Sequence, residues 1–437
     1  MADSSDDDEL AEINHRWGRR VISTVRIASS AARLASRRLL RRQASVTDQV
    51  IGEKLAAELD EMKGMAMKLG QIISYFDGIL PESTHAALRS LQRGAKPVAF
   101  SVMSAVIESA FEAPLGELFE EFEHVPVAAA SIGQVYRARF HGVDVAVKVQ
   151  YPNVRKTFES DTKRLRRLAG LASLATAVDG HAIADELRAR LLEECDYEQE
   201  ARHQEAFAAA FAQDPRIVVP NVVWERTRGS VLTTAWHPGR DFYAFNDAAS
   251  PEQRAAAATA LVQFAYRSLY GRAAINADPH PGNYLFPADG TVVFLDFGCV
   301  RRFDLDFLER ERALTKVVLE DRRDDFRDAV LATGMVPKPK RFDFDVYWEQ
   351  LCHHYAPYRV PRYRITLEHL AEAMRFNGPS NPNVRRLAIP PQWIWLQRLQ
   401  FGLHAVLARL DVELAYGDIL RNALAEPPRP LPVRFSA

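Results

Sequence analysis

Two short stretches in the second half of the chain hold residue types that could do chemistry. "INADPHPGNYLF" sets Asp278 five positions before Asn283, and "VVFLDFGCV" sets Asp296 thirteen positions further on, at the end of an apolar run. A carboxylate, then a carboxamide and a second carboxylate, suits transfer of a phosphoryl group. The first orients or deprotonates an acceptor, and the other two hold Mg2+ ions that bridge phosphate oxygens. Either stretch alone is also an ordinary turn, so the weight lies in their order and in what precedes them.

Upstream, "AAASIGQVYRARFHGVDVAVKVQ" runs from Ala128 to Gln150. Apolar and polar residues alternate on both sides of "HGVD", which predicts a β-hairpin with Lys148 near the end of its second strand. A lysine inside V-A-V-K is costly to bury without an anion; phosphate oxygens and a helix glutamate would serve, and an exposed lysine on one strand face is the plain alternative. The first part has the spacing of a phosphate-covering glycine loop. With Val135 on the valine of G-x-G-x-x-G-x-V, Gly133 takes the third glycine's place while Ala128 and Ala130 take the first two. A Cβ hinders left-handed backbone angles and close approach, so these alanines are expected to narrow the loop's conformations and crowd the phosphates.

The elements that must position these residues follow from periodicity. After a helical insertion of about forty residues, "LLEECDYEQEARHQEAFAAAF" predicts a helix carrying Glu200. Glycine-loop analogue, strand lysine and helix glutamate stand in the order of a protein-kinase N-lobe, and D-x-x-x-x-N followed by D-F-G continues it. Two β-like runs, "RIVVPNVVWERTRG" and "SVLTTAW", then lead through "HPGR" into a helical region, and the backbone of Thr234, Ala235 and Trp236 is the expected hinge that reads adenine. Near the start, "TDQVIGEKLAAELDEMKGMAMKLGQIISYFDGIL" is helical in pattern and sets Lys68 and Gln71 three apart on one face. Alone, that pair reads as solvated.

Composition bounds the rest. With 437 residues, 47% hydrophobic and 26% charged, the chain can bury large cores, and a net charge of −1 argues against a globally basic nucleic-acid binder. Three cysteines without a C-x-x-C pair fit a reducing compartment and no structural zinc. The start "MADSSDDDEL" is acidic where a secretion signal is basic, and no apolar run approaches the roughly 18 residues that span a bilayer, so a cytoplasmic protein is expected. From His15 to Gln43 there are nine arginines and no acidic residue, with an alanine-rich apolar stripe at helical spacing. This is either a helix docked on its own domain or an interfacial helix on anionic lipid at the membrane's inner face.

Together these residues resemble the AarF/UbiB family of atypical protein-kinase-like proteins, bacterial relatives of the quinone-biosynthesis ADCK proteins. The resemblance rests on K-L-G-Q at Lys68–Gln71, A-A-A-S at Ala128–Ser131, V-A-V-K ending at Lys148, E-C-D at Glu194–Asp196, D-P-H-P-G-N at Asp278–Asn283 and D-F-G at Asp296–Gly298. It implies an α+β, two-lobed protein-kinase-like fold. The expected divisions are an acidic start plus basic helix (1–46), a helical extension (47–125), an N-lobe (126–237, insertion about 153–192), a C-lobe core (238–335) and a helical tail (336–437).

By this resemblance Lys68 and Gln71 point into the cleft near the phosphates, with Glu194 and Asp196 as their regulatory partners, occluding a peptide substrate. Ala128, Ala130, Ser131, Gly133, Val135, Lys148, Glu200 and the hinge bind nucleotide, Asn283 and Asp296 hold Mg2+, and Asp278, Lys148, Lys68 and Gln71 act in catalysis. The expected activity is that of an atypical kinase or ATPase using ATP and Mg2+ and supporting isoprenoid-quinone or membrane-lipid metabolism, with a lipid or quinone precursor as a further ligand and no nucleic acid. A small-molecule phosphotransferase of the aminoglycoside or choline kinase type, and a nucleotide-sensing scaffold, are the alternatives. Two departures from the family pattern stand out: Asn276 where a histidine often precedes the catalytic aspartate, and Cys299–Arg302 in place of a glycine-containing segment after D-F-G.

Overall fold

The computed structural model describes residues 98–130, 132–159, 188–189, 191–376, 378, 380–384 and 386–432. Lys68, Gln71, Ser131, the basic stretch 15–43 and most of the insertion lie outside the described residues. The described residues form two compact units: those up to Gln199 together with Val222–Trp236, and Glu200–Asn221 together with those from His237 on.

In the first unit, helix α1 (Phe100–Phe111) repeats apolar residues at helical spacing and buries Val102, Met103 and Ile107. The sheet begins with β1 (Glu121–Phe122), a few residues ahead of the Pro126 boundary read from the sequence, and continues with β2 (Ala128–Ala129), β3 (Gly133–Phe140) and β4 (Val143–Gln150). The β3–β4 turn is His141–Gly142, both at positive φ (51° and 75°), as a two-residue hairpin loop that follows the strand twist requires. Strand periodicity then sorts the side chains. Tyr136, Ala138, Phe140, Val145, Val147 and Val149 form a buried core with Met103 and Ile107, so Val135, Arg137, Ala146 and Lys148 take the opposite face.

Helix α2 (Tyr197–Phe211) is capped by Asp196, whose Oδ1 accepts the Gln199 N–H at 2.9 Å. The chain passes to the second unit within this helix. The first of the two β-like runs expected after it is not a strand of the sheet. It divides into β5 (Ile217–Val218), which pairs in the second unit, and a 3-10 turn at Trp224–Arg226. Pro220 explains the break, since it has no N–H to give a ladder. The second run is β6 (Val231–Ala235), antiparallel to β4.

The second unit is mainly helical. Asp241 caps α3 (Phe242–Ala248), and a Ser250–Gln253 capping box with Pro251 starts α4 (Pro251–Tyr266), whose Ala257, Leu261, Val262 and Phe264 are buried. Two small sheets carry the chemistry-bearing loops. One pairs β7 (Ala274–Asn276) with β10 (Val300–Arg302); the other orders β5, β9 (Val292–Phe294) and β8 (Tyr284–Leu285). Beyond them lie α5 (Leu305–Leu319), α6 (Arg323–Ala332), α7 (Phe344–His354), α8 (Leu367–Arg375), the 20-residue α9 (Pro391–Leu410) and α10 (Tyr416–Ala425). Helices α4, α9 and α10 share one core with the two small sheets. Among the described residues no helix is long and apolar enough to cross a membrane.

Candidate functional site

In the first unit, strand register sets up the nucleotide-type residues. Ala128 pairs with Val135, Val135 with Lys148 and Lys148 with Leu232, so these four lie in one row on one side of the sheet. Lys148 is half-buried, and its Nζ lies 4.9 Å from the centre of the Tyr197 ring at the start of α2. The row exists because the other strand face is filled by valines.

The alanine-rich segment is a tight hairpin. Val127 N–H donates to the Val135 carbonyl, and Ala130 N–H donates to that of Gly133, both at 2.8 Å. None of Ala128, Ala129 and Ala130 has a positive φ, so the backbone angles taken here suit any L-residue and the alanines carry no left-handed strain. Gly133 is retained for a different reason. A Cβ there would lie 2.1 Å from the Val149 carbonyl oxygen, so β3 and β4 could not approach.

The three expected hinge residues differ in where their backbone groups face. Trp236 N–H donates to the Asp144 carbonyl, which continues the β4 ladder, and Thr234 pairs with Ala146 in that same ladder. By alternation the backbone groups of Ala235 point away from β4, toward the side on which the Thr233 carbonyl accepts Val223 N–H. Ala235 is therefore the residue of the three whose backbone faces out of the sheet. Of the E-C-D residues, Asp196 is spent in part on capping α2, and Glu194 is half-buried.

The second unit brings Asp278, Asn283 and Asp296 together through backbone and side-chain links. The D-P-H-P-G-N segment hydrogen-bonds to itself: His280 N–H to the Asp278 carbonyl, Asn283 N–H to the His280 carbonyl, and Gly282 N–H to His280 Nδ1 at 3.1 Å. The β8–β9 hairpin follows directly, and Leu295 N–H donates to the Asn283 carbonyl, so Asn283 stands beside the residue preceding Asp296. Asn283 Nδ2 donates to the Asp278 carbonyl (2.9 Å) and to Asp278 Oδ2 (3.2 Å). With its nitrogen committed to those acceptors, the amide presents its oxygen on the other side.

Asn276 is the bridge between the two motifs. Its Nδ2 donates to the Asp296 carbonyl at 2.8 Å, and its Oδ1 accepts Asp278 N–H at 3.2 Å. Asp296 itself takes a left-handed φ of 59°, costing about 1 kcal/mol, and its Oδ1 accepts Gly298 N–H at 3.1 Å. Glu200 is buried at 3% exposure, and a Cβ on Gly298 would lie 3.3 Å from Asp296 Oδ1 and 3.6 Å from Glu200 Oε2. Both carboxylates therefore flank Gly298. Phe297 is fully buried and packs on Phe207, while its carbonyl lies 3.3 Å from His203 Nδ1. Glu200, His203 and Phe207 share one face of α2, which explains how that helix positions the D-F-G turn. Burial first, and then the charge of Asp278, pushes the Tyr284 phenol well above its ordinary pKa, so it stays neutral beside Asn283.

Sequence reasoning missed two participants. Asn276 stood only as a departure from a pattern, and Arg398, in a tail read mainly as helical, donates to the Ala277 carbonyl through Nε and to Asp278 Oδ1 through Nη2. One turn further along α9, a Cβ on Gly402 would lie 2.5 Å from Pro279 Cγ, so α9 rests directly on the Asp278 loop. A lone glycine inside "LQRLQFGLHAVLARL" was the available signal.

As a cation site, Asn283 and Asp296 offer the hard oxygen donors that Mg2+ takes, and two protein ligands leave the rest of an octahedral shell to phosphate and water oxygens. By donor chemistry these two residues would suit a hard divalent cation.

The ABC1 atypical kinase-like domain matches residues 90–327. A Synechocystis protein, uncharacterized protein slr0889, is 32% identical over 267 residues, covering 58% of this chain and 65% of that protein. Atypical kinase COQ8, mitochondrial, of Saccharomyces cerevisiae is 31% identical over 278 residues, covering 62% of this chain and 55% of its own length. The chain thus spans less than two thirds of these curated relatives. Among solved structures, Rv3197 of Mycobacterium tuberculosis, determined in complex with erythromycin, matches with a TM-score of 0.67 at 26% identity, over 82% of this chain and 92% of that one. The fold is kinase-like, and the chain belongs to the ABC1 atypical kinase-like, or UbiB, family.

Proposed function

We propose that this chain is an atypical kinase or ATPase that uses Mg2+-ATP and supports isoprenoid-quinone or membrane-lipid metabolism. The observation that carries the reading is the linkage Asp278–Asn276–Asp296 with Asn283 bonded to Asp278, which ties the D-P-H-P-G-N and D-F-G segments to each other.

The roles follow from the chemistry. Lys148 would meet phosphate oxygens with its ammonium, and Ala235 would offer backbone polar groups to adenine. Asn283 and Asp296 would hold Mg2+, which supplies charge neutralisation at the phosphates when bound. Asp278 would accept the proton of the attacking hydroxyl or water and orient it. After D-F-G the chain goes straight into β10, pairs with β7 and enters α5 at Leu305, so the described stretch is tied down where a protein kinase carries a free activation loop. That favours a narrower acceptor than a protein hydroxyl. Peripheral contact with anionic lipid through residues 15–43 belongs to the same reading.

Purified protein should release ADP from ATP in a Mg2+-dependent manner, faster with anionic liposomes and quinone-precursor mimics. No ADP release under any of these conditions would overturn the enzymatic reading.

A further inference from the structure

Helix α9 meets the Asp278 loop and the strand that follows D-F-G. Arg398 and Gly402, one turn apart, face Ala277–Pro279, and Trp395, one turn earlier, lies under the Arg301 guanidinium of β10 at 4.4 Å. The Arg398–Asp278 pair is partly screened from solvent, with side-chain exposures of 17% and 31%. Asp278 has one oxygen on Arg398 and the other on Asn283, so its carboxylate cannot rotate without breaking one of the two bonds. Each oxygen keeps a second lone pair for an acceptor.

From this geometry we infer that Arg398 is a positioning residue for the reaction proposed above, fixing the orientation of the Asp278 carboxylate from the C-terminal helix. The inference rests on that reading of Asp278. A guanidinium suits the task because its fork reaches a backbone carbonyl and a carboxylate at once, and an ammonium reaches only one of them in a fixed direction. An ion pair that merely fastened α9 would affect stability. A positioning pair changes turnover with nucleotide binding intact, because misplacing a reacting group by about 1 Å costs on the order of 100-fold.

The test compares wild type with Arg398→Ala, Arg398→Lys, Asp278→Asn and the double variant Asp278→Asn/Arg398→Ala, measuring ADP release and thermal melting of the full chain, with Arg409→Ala on the exposed face of α9 as control. Arg398→Ala should lower kcat at least tenfold with the KM for ATP changed less than twofold. Guanidinium ion at non-denaturing concentration should restore part of the loss, Arg398→Lys should fall between, and the double variant should be no slower than Asp278→Asn. If Arg398→Ala fails to fold, the same kcat-against-KM split in Arg398→Lys decides. Full turnover in Arg398→Ala or Arg398→Lys, or a loss confined to melting temperature, overturns the inference while Asp278→Asn still abolishes release. Full turnover in Asp278→Asn overturns the reading of Asp278 itself, and no release by wild type overturns both.

Discussion

At the scale of single residues, the two carboxylates of the site are held in different ways. Asp278 accepts from Arg398 and Asn283, whereas Asp296 spends an oxygen on Gly298 N–H and sits in a left-handed conformation. Asp296→Asn should therefore abolish Mg2+-dependent nucleotide binding, and Asp278→Asn should spare binding and remove turnover; titration calorimetry with ATP and an ADP-release assay separate the two. The loop at Ala128–Gly133 makes a second pair. Gly133→Ala puts a Cβ against the Val149 carbonyl and should cost 3 kcal/mol or more, roughly the upper end of overpacking penalties, read as a fall in the unfolding midpoint. Ala130→Gly relieves no strain, because Ala130 does not have a positive φ, and should cost about 0.4–1 kcal/mol through the looser unfolded chain. Any change it causes in the ratio of ATP to ADP affinity must then come from the missing methyl group, and an unchanged ratio would make the alanines packing choices only.

At the scale of elements, α2 and α9 serve the two motifs of the second unit. Helix α2 presents Glu200, His203 and Phe207 to D-F-G, and α9 presents Arg398 and Gly402 to D-P-H-P-G-N. Gly402→Ala should push α9 off Pro279, destabilise by about 1–3 kcal/mol and lower ADP release with nucleotide affinity retained, measured by melting and by calorimetry. An unchanged melting temperature would show that the helix can shift without cost. The contrast with the insertion-side elements is instructive: Asp196 contributes to its helix as an N-cap, so Asp196→Ala would mix a cap loss with any regulatory effect.

At the scale of the whole molecule, the helical tail buries a histidine cluster. His404 Nε2 lies 2.7 Å from the Tyr358 hydroxyl, His369 stacks on His353 at 4.5 Å, and burial, followed by the charges of neighbouring histidines, pushes His404 down to about 3 and His369 down to about 4. An unfolded histidine titrates near 6.5, so below that pH the unfolded chain takes up protons that the folded chain refuses. The contribution of these groups is full above about 6.5 and falls as pH drops toward 4 for His369 and toward 3 for His404, by roughly 2 kcal/mol at pH 5 from His404 alone. Thermal melts at pH 7 and pH 5 should show the loss, and His404→Phe should shrink it; an equal loss in the variant would assign acid sensitivity to other groups.

The hairpin with Lys148, the α2 helix with Glu200 and the two acidic motifs were all legible in order, because local periodicity and motif spacing depend on neighbours within a few positions. The run "RIVVPNVVWERTRG" was legible only as β-like, since which sheet a two-residue strand joins depends on a partner at Val292–Val293 far along the chain. Asn276 and Arg398 were not legible as site residues for the same reason: an arginine at helical spacing reads as solvated, and nothing within its own helix reveals a carboxylate 120 residues earlier. Why position 133 needs glycine was likewise visible only in the structure, where the facing strand leaves no room for a Cβ. By itself the sequence determined which groups could do phosphoryl chemistry and in what order they come. Only the tertiary structure decided which oxygens of Asp278 are held and by whom, because a hydrogen bond between distant residues is set by the packing of whole helices and leaves no periodic trace in the chain.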